Sequence, residues 1–210
     1  MSKKKLVIFP FNGNGMEAVD CLGDSEFELL GFIDDDDSKR SNEYTIFSRE
    51  ILSEQKELYV LAVPGSPTSF TKRKSIIDNL KIDEKRFVSI IHPAASIGKN
   101  VKMGYNCLVM AGVVITSNAI IKDHVCILPN SVIHHDTTIN EYTLIGSNVV
   151  IAGGTTIGRN CYIGSGANIM NGITIGDFSL VGLGSNVIKS VGDNSKLVGN
   201  PARDINARSI

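Results

Sequence analysis

The sequence predicts two architectures in series: a small α/β parallel-sheet domain over residues 1–92, then an all-β parallel β-helix over residues 93–210. Two observations predict the β-helix. An aliphatic residue recurs at every sixth position from Ile97 to Val187, sixteen times without a break in phase. Two places before each stands a small or β-branched residue, from Ala95 to Ser185. A third observation predicts the α/β domain: upstream of the repeat, apolar runs of strand length alternate with helical stretches.

The front elements follow in order. Lys5–Pro10 reads as a buried strand, Phe11 to Gly15 as a turn and Met16–Leu22 as a short helix. Phe27–Ile33 is a second strand, closed by four acids from Asp34 to Asp37. Leu58–Val63 is a third, closed by Pro64-Gly65-Ser66-Pro67; Ser69–Leu80 is a helix and Phe87–Ile91 a fourth strand. Ligands of such sheets bind beyond the carboxyl ends of the strands. Those ends carry Asn12-Gly13-Asn14, Asp34-Asp35 and Pro64-Gly65-Ser66. The Asn-Gly-Asn-Gly turn is not the G-x-G-x-x-G dinucleotide fingerprint.

A period of six is neither helical nor simple strand alternation; it is the hexapeptide pattern of a parallel β-helix, with about 18 residues in a three-sided coil. One aliphatic side chain per hexad fills the prism, and the small residue two places earlier fits a cramped corner. Cys107 and Cys161 fall in that small inward series and read as packing residues.

Composition narrows the class. The chain has 210 residues, is 42% hydrophobic and carries a net charge of −1. That balance lacks the basic excess of a nucleic-acid binder or a polybasic membrane patch. The apolar run after Lys3-Lys4-Lys5 is too short for a signal peptide, and no stretch spans a membrane, so the expected location is the cytoplasm. Four dispersed cysteines make neither a disulfide framework nor a zinc ribbon.

Chemistry is expected where the repeat is interrupted. In Ile133-His134-His135-Asp136 a turn position usually held by Gly, Asn or Asp carries His134, followed by His135 and Asp136. Imidazole suits proton transfer near neutral pH, and an adjacent carboxylate orients the ring. One coil beyond His135 stand Gly153 and Gly154, which leave a slot without side chains and with backbone N–H groups for an oxyanion. No two of His92, His124, His134 and His135 are one or two coils apart, so a three-histidine metal site is not expected.

With these motifs in place the chain resembles the sugar acyltransferases of the NeuD/PglD type, over essentially its whole length. The resemblance rests on Phe32-Ile33-Asp34-Asp35, on the segment from Asn130 to Ile139 and on the closing Val198-Gly199-Asn200-Pro201-Ala202-Arg203. It implies a Rossmann-like domain followed by a left-handed β-helix, and a homotrimer with active sites between subunits. It further implies acetyl-CoA as co-substrate and a nucleotide-linked amino sugar, of the 4-amino-4,6-dideoxy type, as acceptor. His135 takes the general-base position and Asp136 the supporting acid. Gly153 takes the contact to the thioester, and Ser165 and Leu183 line the coenzyme channel. Asn12, Gly13, Asn14, Asp34 and Asp35 fall where the sugar nucleotide is held. Leu144 stands where another histidine of the family often touches the acyl carbonyl, and is expected to reach the acyl group from a neighbouring subunit. Pro10 and Phe11 replace the usual glycine of the front loop. Two alternatives remain open: O-acetylation of a sialic-acid-like sugar, which needs the same base, and a catalytically silent trimeric sugar-nucleotide-binding module.

Overall fold

The computed structural model describes residues 3–206; the outermost residues of the two expected domains, 1–2 and 207–210, lie outside the described residues. Four parallel strands, β1 (Lys4–Phe9), β2 (Phe27–Ile33), β3 (Ile46–Phe47) and β4 (Tyr59–Ala62), form a sheet in the order β3–β2–β1–β4. Leu6, Val7, Ile8 and Phe9 of the central β1 are all buried, as expected of a strand covered on both faces.

Three front elements differ from expectation. Helix α1 (Gly13–Asp20) starts earlier than Met16 because Asn12 caps it, its Oδ1 accepting the Gly15 N–H at 2.8 Å. Gly15 is sterically required, since a Cβ there would lie 2.4 Å from the Pro10 carbonyl oxygen. After a short helix α2 (Ile51–Glu54), the expected helix over Ser69–Leu80 is divided into a 3₁₀ turn, Phe70–Lys72, and helix α3 (Arg73–Asp78). The expected fourth strand, Phe87–Ile91, does not join the sheet. Phe87 makes a single bridge to Val60, and Ile90–Ile91 pairs instead with Leu108–Val109 of the β-helix. The reason lies in the repeat itself: Ile91 is six residues before Ile97 and Ser89 two before Ile91, so the hexads begin earlier than Ala95. Ser89 already behaves as a corner residue, its Oγ donating to the Gly104 carbonyl at 2.9 Å.

The β-helix has three faces of five, six and eight strands. Each two-residue strand pairs in parallel with the strand one coil away, as in the series Leu108, Cys126, Leu144, Tyr162, Leu180. The inward aliphatic series and the small series form one continuous core. Hydroxyl-bearing members of the small series also carry backbone bonds between coils. Ser131 Oγ donates to the Gly146 carbonyl at 2.7 Å and accepts the Val149 N–H at 3.1 Å, and Thr143 repeats the arrangement with Gly158 and Cys161. Those bonds satisfy groups that would otherwise be buried without partners. Ile97 departs from the inward pattern at 40% exposure, because it lies in the first coil with no further coil to cover it. Strand Ala202–Asp204 turns back antiparallel on Lys196–Gly199 at the other end.

From Asn100 to Gly184 every sixth residue, one at each coil corner, lies in the left-handed region. One column runs Asn100, Asn118, Asp136, Gly154, Gly172, and a second runs Asn106, His124, Tyr142, Asn160, Phe178. Asn, Asp and Gly tolerate that conformation well, whereas Tyr and Phe do so at a cost. The second column is the seam with the α/β domain. Asn106 closes a two-bond ring with the backbone of Ala62, accepting at 2.7 Å and donating at 2.8 Å. Asn160 Nδ2 donates to the Phe70 carbonyl at 3.2 Å. Arg73, wholly buried at 0% exposure, donates to the carbonyls of Tyr142 at 2.8 Å, His124 at 2.7 Å and Pro64. Beside it, Leu108, Cys126 and Leu144 share an apolar cluster with Ile8, Phe32 and Leu61 of the sheet.

Candidate active site

His135 and Asp136 stand at an outer corner where Asp136 has a φ of +58°. His135 Nδ1 and Asp136 Oδ2 are 2.7 Å apart, and the imidazole is 64% exposed. The carboxylate accepts the Nδ1 proton, which leaves the Nε2 lone pair free. Hydrogen bonds from His135 and then from Asn118 hold the Asp136 carboxyl below its ordinary range. The ring lies against Gly153: a Cβ there would be 2.6 Å from both Cε1 and Nε2 of His135. The stacking expected from the repeat is therefore present, and a Cβ at 153 would push the imidazole out of this place.

The two glycines beyond His135 differ in what they offer. The Gly154 N–H is consumed by the His135 carbonyl at 2.9 Å. The Gly153 N–H has no acceptor among the described residues. A single backbone donor thus remains beside the imidazole, fewer than the sequence suggested.

Ser165 and Leu183 stack on each other one coil apart, preceding Gly166 and Gly184 at φ +74° and +63°. That column is a different corner of the prism from Asp136 and Gly154, so one chain does not bring the two sets together. Leu183 is 72% exposed, and Ser165 Oγ accepts the Ser147 N–H at 3.1 Å.

Leu144 is a correction. It is 2% exposed and belongs to the apolar cluster between β-helix and sheet, so it is closed off by its own chain and reaches no acyl group from a neighbour. The residue before each inward aliphatic points outward, and on this face outward means toward the α/β domain.

The five front-loop residues do converge at the carboxyl ends of β1 and β2. Asp34 joins the two loops, Oδ2 accepting the Phe11 N–H at 2.9 Å and Lys39 Nζ at 2.8 Å while Oδ1 accepts the Asp36 N–H at 3.0 Å. With its side chain 6% exposed and both oxygens occupied, Asp34 holds the loop and is corrected from a ligand contact to a structural one. Asp35 remains at the surface, in a two-pronged pair with Arg49 whose second arm, Nη2 to Oδ2, is 2.5 Å. Asn12 spends its oxygen on the helix cap; Gly13 is exposed and Asn14 half-buried. Sequence reading missed Arg49 and Lys39, because an isolated basic residue in a loop carries no spacing signal. It also missed Asn118, although its separation of one coil from Asp136 was readable.

No thiol is set up as a nucleophile. Burial pushes Cys21 and Cys107 up to about 11, and Cys126 and Cys161 up to about 12. Among the described residues no helix is long and apolar enough to cross a membrane, and no three His, Cys, Asp or Glu side chains cluster as metal ligands would.

Two family models match the repeat. Residues 118–153 match the bacterial transferase hexapeptide (six repeats), and residues 94–122, 137–170 and 154–189 match the hexapeptide repeat of succinyl-transferase. No curated protein matches the sequence significantly. Solved structures are similar over nearly the whole chain. The acetyltransferase domain of PglB from Neisseria gonorrhoeae, in complex with acetyl coenzyme A, is 23% identical and has a TM-score of 0.84, covering 97% of this chain and 100% of that one. PerB from Caulobacter crescentus, in complex with CoA and GDP-perosamine, is 24% identical with a TM-score of 0.83, covering 97% and 98%. WeeI from Acinetobacter baumannii is 24% identical with a TM-score of 0.81, covering 95% and 99%. Together the two repeat models span residues 94–189, and the chain shares, from sheet to β-helix, the fold of these solved structures.

Proposed function

We propose that the chain is an acetyl-CoA-dependent N-acetyltransferase of a nucleotide-linked amino sugar, of the 4-amino-4,6-dideoxy type, working in the cytoplasm as a homotrimer. The observation that carries this reading is the exposed His135–Asp136 pair laid against Gly153, whose N–H is free. Structures of the same fold hold acetyl coenzyme A, or CoA with GDP-perosamine, which supports the donor and the acceptor class.

The steps follow from the geometry. Asp136 fixes the imidazole with its proton on Nδ1. Nε2 then takes a proton from the sugar amine as the amine nitrogen bonds to the thioester carbonyl carbon. The Gly153 N–H donates to the oxyanion that forms. When the carbon–sulfur bond breaks, the imidazolium returns its proton to the departing thiolate, so the base is regenerated. The pathway is direct, because the buried, neutral cysteines offer no covalent intermediate. Ser165 and Leu183 would line the coenzyme channel from the neighbouring subunit, since within one chain they occupy a different corner. Asn12, Gly13, Asn14 and Asp35 would face the sugar nucleotide.

The deciding experiment offers acetyl-CoA with a panel of amino-sugar nucleotides and with sialic acid, and measures release of free thiol. Turnover confined to the amino-sugar nucleotides supports the reading. Turnover with sialic acid alone replaces it by O-acetylation, and no turnover with any acceptor leaves the binding-module alternative. Light scattering of a monomer at micromolar concentration would remove the intersubunit site.

A further inference from the structure

The corner that bears His135 and Asp136 holds a line of side chains the proposed chemistry has not used. Asn100, Asn118 and Asp136 occupy successive coils, each left-handed, at φ +59°, +62° and +58°. Asn100 Nδ2 donates to Asn118 Oδ1 at 3.2 Å, and Asn118 Nδ2 donates to Asp136 Oδ1 at 3.0 Å. The carboxylate, which only accepts, fixes the sense of the Asn118 amide: its nitrogen faces Asp136, so its oxygen faces Asn100 and accepts from it. The two oxygens of Asp136 are therefore divided, Oδ1 to the scaffold and Oδ2 to His135 Nδ1 at 2.7 Å. Beyond Asp136 the column continues as Gly154 and Gly172, so the ladder of side chains stops where the imidazole lies over Gly153.

We propose that Asn118 is a positioning residue for the His135 base: it locks the Asp136 carboxylate in the rotation that presents Oδ2 to Nδ1 and so keeps Nε2 over Gly153. Asn100 donates to the Asn118 oxygen from the coil before and so steadies the amide. The inference rests on the reading of His135 as base. The need for such a lock is physical. The carboxylate is largely exposed, the torsion that turns it has a broad energy profile, and water competes for both oxygens. Two charge-assisted bonds from opposite sides, one from the scaffold and one from the imidazole, restrict that torsion. The depression of the Asp136 carboxyl by these same two bonds agrees with the arrangement.

The test is Asn118→Gly. Glycine keeps the left-handed corner without strain, as Gly154 and Gly172 do in the same column, and removes only the amide. The expected kcat falls about tenfold or more, the worth of one charge-assisted bond, with KM for both substrates within about twofold. In a His135→Ala background the same substitution adds nothing further, because its effect passes through His135. In the unliganded protein, carboxyl carbon NMR shows the Asp136 titration moved to higher pH. An unchanged kcat, an undiminished effect in the His135→Ala background or an unmoved Asp136 titration overturns the proposal. The NMR arm needs no turnover, so it separates the two failures. If His135→Ala retains full activity, the base assignment falls. If His135→Ala is inactive and Asn118→Gly is indistinguishable from the parent in kcat and titration, only the positioning role falls.

Discussion

Two corners of one prism share a backbone conformation and a spacing, yet do opposite work. At one, His135 is exposed and hydrogen-bonded to Asp136. At the other, His124 is buried, stacked on Tyr142 at 4.5 Å and 7°, and hydrogen-bonded to Asn106 at 2.8 Å. Asn106 gives its oxygen to the Ala62 N–H, so its nitrogen must donate to His124 Nδ1, and the His124 proton sits on Nε2. Burial first, and the neighbouring Arg73 cation second, lower His124 to about 4, so it stays neutral. The repeat supplies both corners alike; what covers them decides which histidine carries chemistry and which cements two domains.

The comparison breaks most visibly at His135. Its replacement in His135→Ala should lower kcat roughly 10²–10⁴-fold, the cost of losing a general base, with an unchanged urea midpoint. Equal loss in His134→Ala would leave no ground for choosing His135 over the adjacent imidazole as the base.

At the seam the expected signature is reversed. Arg73→Met withdraws the donors from three buried carbonyls and should cost about 3 kcal/mol or more of stability, read from urea unfolding. Activity of the folded fraction should stay near that of the parent. Undiminished stability would show that the apolar cluster alone joins the two parts.

The smallest effect sharpens the contrast between the histidines through pH. The folded state holds His124 near 4 against an ordinary 6.5, so the unfolded chain binds the extra proton. Its contribution is complete above about pH 6.5 and is lost as pH falls toward 4. Between pH 7 and 4.5 that amounts to about 2 kcal/mol. His124→Asn, which tolerates the left-handed corner, should show a correspondingly shallower acid loss in urea midpoints. Parallel acid curves for parent and variant would remove His124 as the buried neutral group.

Much of this was legible because a β-helix is nearly one-dimensional: its contacts join residues a fixed number of positions apart. The inward series, the coil and the placing of Gly153 against His135 all follow from counting, as does the Asn118–Asp136 bond once the column is noticed. The α/β part was legible only as strands and helices. The capping oxygen of Asn12 and the loop-tying role of Asp34 depend on partners from other loops, which no period announces.

The sequence by itself thus determined the β-helix, its interior and the exposed His-Asp corner, because stacking converts sequence spacing directly into distance. Only the tertiary structure decided which face of the prism the α/β domain covers. That choice buries Leu144 and His124 and draws Arg73 into the seam. Its physical cause is mutual burial of the outward residues Leu108, Cys126 and Leu144 with Ile8, Phe32 and Leu61, a match between two surfaces that neither periodicity contains.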